Sequence, residues 1–135
     1  MSIVEVNGLS KVYGGRTVVD RVSFAVEEGE IFGILGPNGA GKTTTVESIE
    51  GLRVPDGGQV RVAGLDPIEQ RDEVTQILGA QLQQSRLQAK LTVQEALELY
   101  SSFYRNPVDW RPLAERLGLT ERLRVRFGKL SGGQQ

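Results

Sequence analysis

Apolar and polar residues alternate in short runs through the first half of the chain, and the period lengthens to that of a helix in the second half. Ile3–Val6, Val22–Val26 and Gln59–Val62 alternate, which predicts antiparallel strands with one buried face, and PDGG at Pro55–Gly58 predicts the turn leading into the last of them. Ile31–Leu35 (IFGIL) is continuously apolar, short and β-rich, so it is expected to be a buried strand. Lys42–Ile49 is expected to be the start of the helix that follows it. Leu78–Leu82 (LGAQL) predicts one more strand. From Leu91 onward Thr92 and Glu95 form a T-x-x-E capping box ahead of ALELYSSFY, an amphipathic helix that must end before Pro107. Asp109–Leu117 predicts a second helix stopped by Gly118. Tyr100, Phe103 and Tyr104 are expected to fill the core of this helical part.

Between the expected strand and helix lies GPNGAGKTT, Gly36–Thr44. Gly36, Gly39 and Gly41 remove Cβ atoms where backbone N–H groups must curl round an anion, and the helix starting near Lys42 adds its positive N-terminal end. Strand, G-x-x-x-x-G-K-T and helix in that order make a cradle for a triphosphate. In it Asn38, Gly39, Ala40 and Gly41 shape the loop and Lys42 reaches the β- and γ-phosphates. Thr43 offers its hydroxyl to Mg²⁺, and Thr44 adds a further phosphate contact. The last residues read LSGGQQ, Leu130–Gln135. Ser131 is a favoured helix N-cap, and the glycines at 132 and 133 leave the neighbouring N–H groups open to an anion.

These two motifs, in this order, resemble the nucleotide-binding domain of ABC transporters. The resemblance runs the length of the chain and implies an α/β fold: a P-loop NTPase core with an antiparallel β-subdomain and an inserted helical subdomain. The expected division is about 1–83 for the β-subdomain and core and about 84–135 for the helical subdomain and signature. It further implies that Tyr13, in KVYGG, stacks on adenine with Val18 beside the ring. Gln83, after Leu78–Leu82, becomes the glutamine that contacts metal and the attacking water's surroundings, with Gln81 and Gln84 as neighbouring alternatives. Ser131, Gly132, Gly133 and Gln134 then close over ATP held by a second protomer in a head-to-tail dimer.

In that family the Walker B aspartate and its adjacent glutamate, a loop aspartate and a switch histidine follow the signature. The resemblance therefore implies a domain that is incomplete at its C-terminus, with no catalytic glutamate among these residues and, as expected for such a portion, no turnover. There is no histidine anywhere in the sequence.

The 135 residues are 39% hydrophobic, carry a net charge of −1 and contain no cysteine, which suits one disulfide-free core. No run approaches the ~20 apolar residues of a membrane helix, and MSIVEVNG lacks the features of a signal peptide. A cytoplasmic location is expected, peripheral to the inner face of the membrane through a polytopic membrane subunit. The near-zero charge speaks against nucleic acid. Arg116, Arg122, Arg124, Arg126 and Lys129 are expected to be a solvated face rather than a binding patch. The expected function is ATP binding and hydrolysis coupled to transport, and the surroundings of the loop are most similar to the branch that exports antibiotics and other drugs. The alternatives are a soluble ABC-type ATPase acting on ribosomes or DNA, and a nucleotide-binding module that does not hydrolyse.

Overall fold

A computed structural model describes residues 1–81 and 87–135. The chain divides into two compact units, Met1–Ala80 and Gln81–Gln135.

In the first unit β1 (Ser2–Tyr13) and β2 (Arg16–Glu27) form a long antiparallel hairpin turned by Gly14 and Gly15. The strand β3 (Gly57–Val62) pairs antiparallel with the other edge of β1, giving the order β2-β1-β3. The residues Val6 and Leu9 are both fully buried although three positions separate them. Strict alternation would put them on opposite faces. The register shifts between them, and this irregularity turns Leu9 back toward the core. Val19 of β2 and Val60 of β3 complete the buried cluster. The turn before β3 fits because residue 58 is a glycine with φ of 84°: a Cβ there would stand 2.4 Å from the carbonyl of Gly8.

The helix α1 (Lys42–Ile49) lays Ile49 against this cluster and so fixes its own axis on the sheet. A short helix, α2 (Arg71–Ile77), is anchored by Val74, which is 1% exposed. Before it, Asp66 accepts from the N–H groups of Ile68 and Glu69 and pairs with Arg61 at 2.7 Å.

Two expected strands are not formed. Ile31–Leu35 runs without ladder partners, with Ile31 and Leu35 almost wholly exposed; Phe32 instead stacks on Phe24 of β2 at 5.0 Å. A continuous apolar run becomes a buried strand only when neighbouring strands take up its N–H and C=O groups. Both edges of β1 are already taken by β2 and β3. Leu78–Gln81 likewise carries no strand, and Leu82 with Gln83 and Gln84 lies outside the described residues.

The second unit is organised by α3 (Val93–Ser102), whose capping box forms as expected: Glu95 N–H donates to Thr92 Oγ1 at 3.2 Å and Thr92 N–H to Glu95 Oε2 at 2.8 Å. The inward face of α3 is small, Val93 and Ala96. Tyr100 and Phe103 are at least half exposed and Tyr104 is 36% exposed, so these aromatics are not the core that was expected. Tyr100 and Phe103 pack on each other edge to face at 5.6 Å, covering part of their own area where the small inward face leaves no slot for rings. The helix α4 (Arg111–Arg116) is shorter than Asp109–Leu117, because Asp109 is spent outside the helix, accepting from Arg111 N–H at 3.1 Å. Gly118, with φ of 67°, follows it. Two 3₁₀ turns, Thr120–Arg122 and Phe127–Lys129, lead to Leu130.

Candidate nucleotide site

The phosphate-loop residues sit where the chain turns into α1. Gly39 and Gly41 take left-handed backbone conformations, φ of 83° and 85°, and Gly41 is the N-cap of the helix. The first helical bond runs from Thr45 N–H to Gly41 O at 2.9 Å. Lys42, Thr43 and Thr44 therefore open the helix with N–H groups that have no intrahelical acceptor, and no side chain caps them. Three N–H groups and the positive end of the helix converge on one side of the loop, the arrangement that attracts a phosphate.

The helix holds this shape from within. Thr45 Oγ1 donates to Gly41 O at 2.9 Å and is buried, and Ser48 Oγ donates to Thr44 O at 2.7 Å. Both hydroxyls bond backward along α1, which satisfies polar groups on its buried face and leaves Thr43 exposed and Thr44 half-buried. The Lys42 ammonium folds back over the loop, donating to Gly36 O and to Pro37 O, the latter at 2.7 Å. Asn38 and Ala40 are exposed, and Ala40 N–H donates to Pro37 O at 3.2 Å.

Val18 touches the loop through its backbone. A Cβ on Gly41 would stand 2.5 Å from Val18 O and 2.8 Å from Val19 Cγ2, so β2 and the loop approach as closely as a glycine allows. Tyr13 lies on the same hairpin, at the last position of β1 and paired with Arg16, two residues before Val18. At ~3.3 Å per residue that is about 7 Å along the strand. Tyr13 is 39% exposed.

Beside the loop an open hollow of about 320 Å³ is lined by Val19, Phe24, Phe32, Leu35, Lys42 and Thr45. Its wall is mainly apolar. A polyphosphate belongs on the polar side of the loop, among the N–H groups, rather than here.

In the second unit the signature is a tight exposed turn hung from a buried anchor. Leu130 is 9% exposed, while Ser131, Gly132 and Gly133 are exposed. Gln134 N–H donates to Ser131 O at 2.9 Å, Gln135 N–H to the same oxygen at 3.1 Å, and Ser131 N–H reaches Gln134 Oε1 at 3.3 Å. The expected helix is present only as this first turn. Nothing lies within 4 Å of a Cβ position on Gly132 or Gly133, so their backbone faces open space. Arg116, Arg122, Arg124, Arg126 and Lys129 are all exposed, as a solvated face would be.

Two residues beside the site escaped the sequence reading. Lys11 donates from Nζ to Asp56 Oδ1 at 3.0 Å and to Val54 O at 2.8 Å, and Asp56 Oδ2 accepts from Val12 N–H at 2.8 Å. The Val12 N–H bond first, then the Lys11 bond, holds the Asp56 carboxyl below the usual aspartate range. Nothing in the PDGG turn alone announces this, because the partners are more than 40 positions apart.

Comparison with known proteins adds an independent line. The profile of a family described as ABC transporter matches residues 19–135. Among similar proteins, the probable multidrug ABC transporter ATP-binding protein YbhF of Escherichia coli (strain K12) is 44% identical over 103 residues. That match takes in 76% of this chain and 18% of the relative. Nod factor export ATP-binding protein I of Paraburkholderia xenovorans (strain LB400) is 38% identical over 138 residues, 98% of this chain and 45% of the relative. A solved ATP-binding subunit of an ABC transporter superposes with a TM-score of 0.87 at 28% identity, covering 98% of this chain and 58% of that one. The chain thus spans less than half the length of these two relatives.

Proposed function

The chain belongs to the ABC transporter family, and on that premise we propose that it is the ATP-binding part of an exporter, with Gly36–Thr44 as its phosphate loop. The single observation that carries the reading is the open end of α1: uncapped N–H groups at Lys42, Thr43 and Thr44, with a left-handed Gly41 pressed against Val18. A single bound anion satisfies those donors together and matches the positive end of the helix.

In this reading the Lys42 ammonium exchanges the Gly36 and Pro37 carbonyls for β- and γ-phosphate oxygens, a move within the reach of one flexible side chain. Tyr13 stacks on adenine and Val18 packs beside it. Mg²⁺, when bound, neutralises phosphate charge, and the exposed Thr43 hydroxyl and Gln83 would hold it. Ser131, Gly132, Gly133 and Gln134 offer an open turn to the γ-phosphate of a second protomer in a head-to-tail dimer. A polytopic membrane subunit would receive the resulting motion at the cytoplasmic face. No helix among the described residues is long and apolar enough to cross a membrane itself. The names of the relatives, multidrug and Nod factor export, favour export over the soluble alternatives.

We read none of the carboxylates in residues 1–135 as the hydrolytic one. On α1 itself, Glu47 is engaged by Arg53 at 2.6 Å, and Glu50 lies at the end of the helix away from the loop. Titration of a fluorescent ATP analogue tests the site. Lys42→Ala removes charge-assisted bonds worth about 1.5–3 kcal/mol, or roughly 10- to 150-fold in affinity. Unchanged affinity in that variant overturns the assignment. Phosphate release from residues 1–135 tests the second point: steady turnover abolished by Lys42→Ala would place the catalytic group within them.

A further inference from the structure

We propose that Lys11 and Asp56 are positioning residues for the Tyr13 ring, together forming a clamp that presents the ring to adenine. The proposal rests on the reading of Tyr13 as the stacking residue.

A hairpin tip is the part of a sheet most prone to fray, and Tyr13 is the last residue of β1 before a two-glycine turn. Here the tip is held from a distant segment. Asp56 N–H donates to Ser10 O at 2.9 Å, Lys11 Nζ donates to Asp56 Oδ1 and to Val54 O, and Val12 N–H donates to Asp56 Oδ2. Three consecutive residues are thereby fastened immediately before the ring.

The clamp also reaches the ring itself. Lys11 and Tyr13 are two positions apart and share one face of the strand, and the Lys11 ammonium lies 5.5 Å from the ring centroid. The Lys11 side chain is only 16% exposed, so its charge acts on the ring with reduced screening from water. A cation on one face fixes the ring's orientation and leaves the other face for a base. The anchoring carboxylate belongs to the connection that leaves α1, whose opposite end is the phosphate loop. One helix therefore spaces the clamp from the phosphate site, and the two ends of a nucleotide are gripped from a single element and its extension.

This predicts an effect on base recognition with none on phosphate recognition, a split that a purely structural role does not produce. The test measures calorimetric affinities for ATP and for inorganic tripolyphosphate, which has no base, in the wild type and in Tyr13→Ala, Lys11→Met, Asp56→Ala and the double variant Asp56→Ala/Tyr13→Ala. Lys11→Met keeps the aliphatic stem and should weaken ATP about 2- to 5-fold, the size of a cation–π contact, with tripolyphosphate unchanged. Asp56→Ala should weaken ATP at least as much, and the double variant should bind no worse than Tyr13→Ala alone. If Tyr13→Ala weakens ATP while Lys11→Met and Asp56→Ala do not, the clamp is refuted and the stacking reading stands. If Tyr13→Ala has no effect, both fall. Loss of tripolyphosphate binding in Lys11→Met and Asp56→Ala would show that the pair only supports the fold, and would also refute the proposal.

Discussion

The carbonyl oxygen of Val18 lies 2.5 Å from where a Cβ on Gly41 would stand, and this contact joins the β1–β2 hairpin to the phosphate loop. Two requirements meet at that glycine. It must adopt a left-handed conformation to start α1, and it must have no side chain so that β2 can approach.

The two requirements can be separated by mutation. Gly39 has nearly the same φ as Gly41, but nothing lies within 4 Å of its Cβ position. Gly39→Ala should therefore cost only the left-handed strain of about 1–2 kcal/mol. Gly41→Ala adds the collision with Val18 and should cost more than that, with nucleotide affinity falling in parallel. Denaturant unfolding of the two variants, side by side, measures the difference. Equal losses would mean that the hairpin does not bear on the loop.

Much of this was legible in the sequence, and the reason differs from place to place. Local signals succeeded where the physics is local: the capping box of Thr92 and Glu95, and the start of α1 at Lys42. The alternating strands were found as well, but shorter than they are, because the register shifts near Gly8 and Arg21 break the period that reveals them. Ile31–Leu35 failed for the opposite reason. Its composition is that of a strand, yet a ladder needs a neighbour that a run of residues cannot report about itself. The Lys11–Asp56 clamp was invisible because it joins positions 45 apart.

Glu50 gives a prediction with a defined pH dependence. Its Oε2 is buried without a hydrogen-bond partner, and burial first, then the charge of Glu47, raises its pKa. A carboxyl whose folded pKa is raised binds its proton more tightly when folded, so it weakens the fold as pH climbs from the unfolded value through the folded one. Glu50→Gln should thus stabilise the protein at pH 7, by about 1 kcal/mol if the unsatisfied oxygen costs what such atoms usually do. The gain should vanish below the ordinary glutamate pKa of about 4.3, where wild-type Glu50 is neutral as well. Thermal unfolding between pH 4 and pH 8 (a range of about 4 units spanning that pKa) checks it, and a gain independent of pH would contradict the burial argument.

The capping box should act on α3 as a unit. Thr92→Ala removes the acceptor for Glu95 N–H and should cost about 1 kcal/mol. Glu95→Ala removes the return bond from Thr92 N–H. If the two bonds support each other, the double variant costs less than the sum of the singles. Hydrogen exchange across Val93–Ser102 should show the loss concentrated in the first turn.

The signature turn carries the last prediction. Ser131, Gly132 and Gly133 are exposed, hung from Leu130, and closed on themselves by the Ser131–Gln134 bonds, so the turn does not depend on the Ser131 side chain for its shape. Ser131→Arg should accordingly leave the fold of Gln81–Gln135 intact while filling the space in front of the two glycines. If that space is where a second protomer's γ-phosphate docks, ATP affinity at the variant's own phosphate loop stays within about twofold, since 1.4 kcal/mol is needed for a tenfold change and no loop contact is lost. ATP-dependent dimerisation, by contrast, disappears, because a long side chain in a phosphate-sized gap prevents closure. Light scattering with and without ATP, beside the nucleotide titration, separates the two effects. Loss of binding together with dimerisation would show that the turn supports the domain's own fold, and an unchanged dimer would place the contact elsewhere.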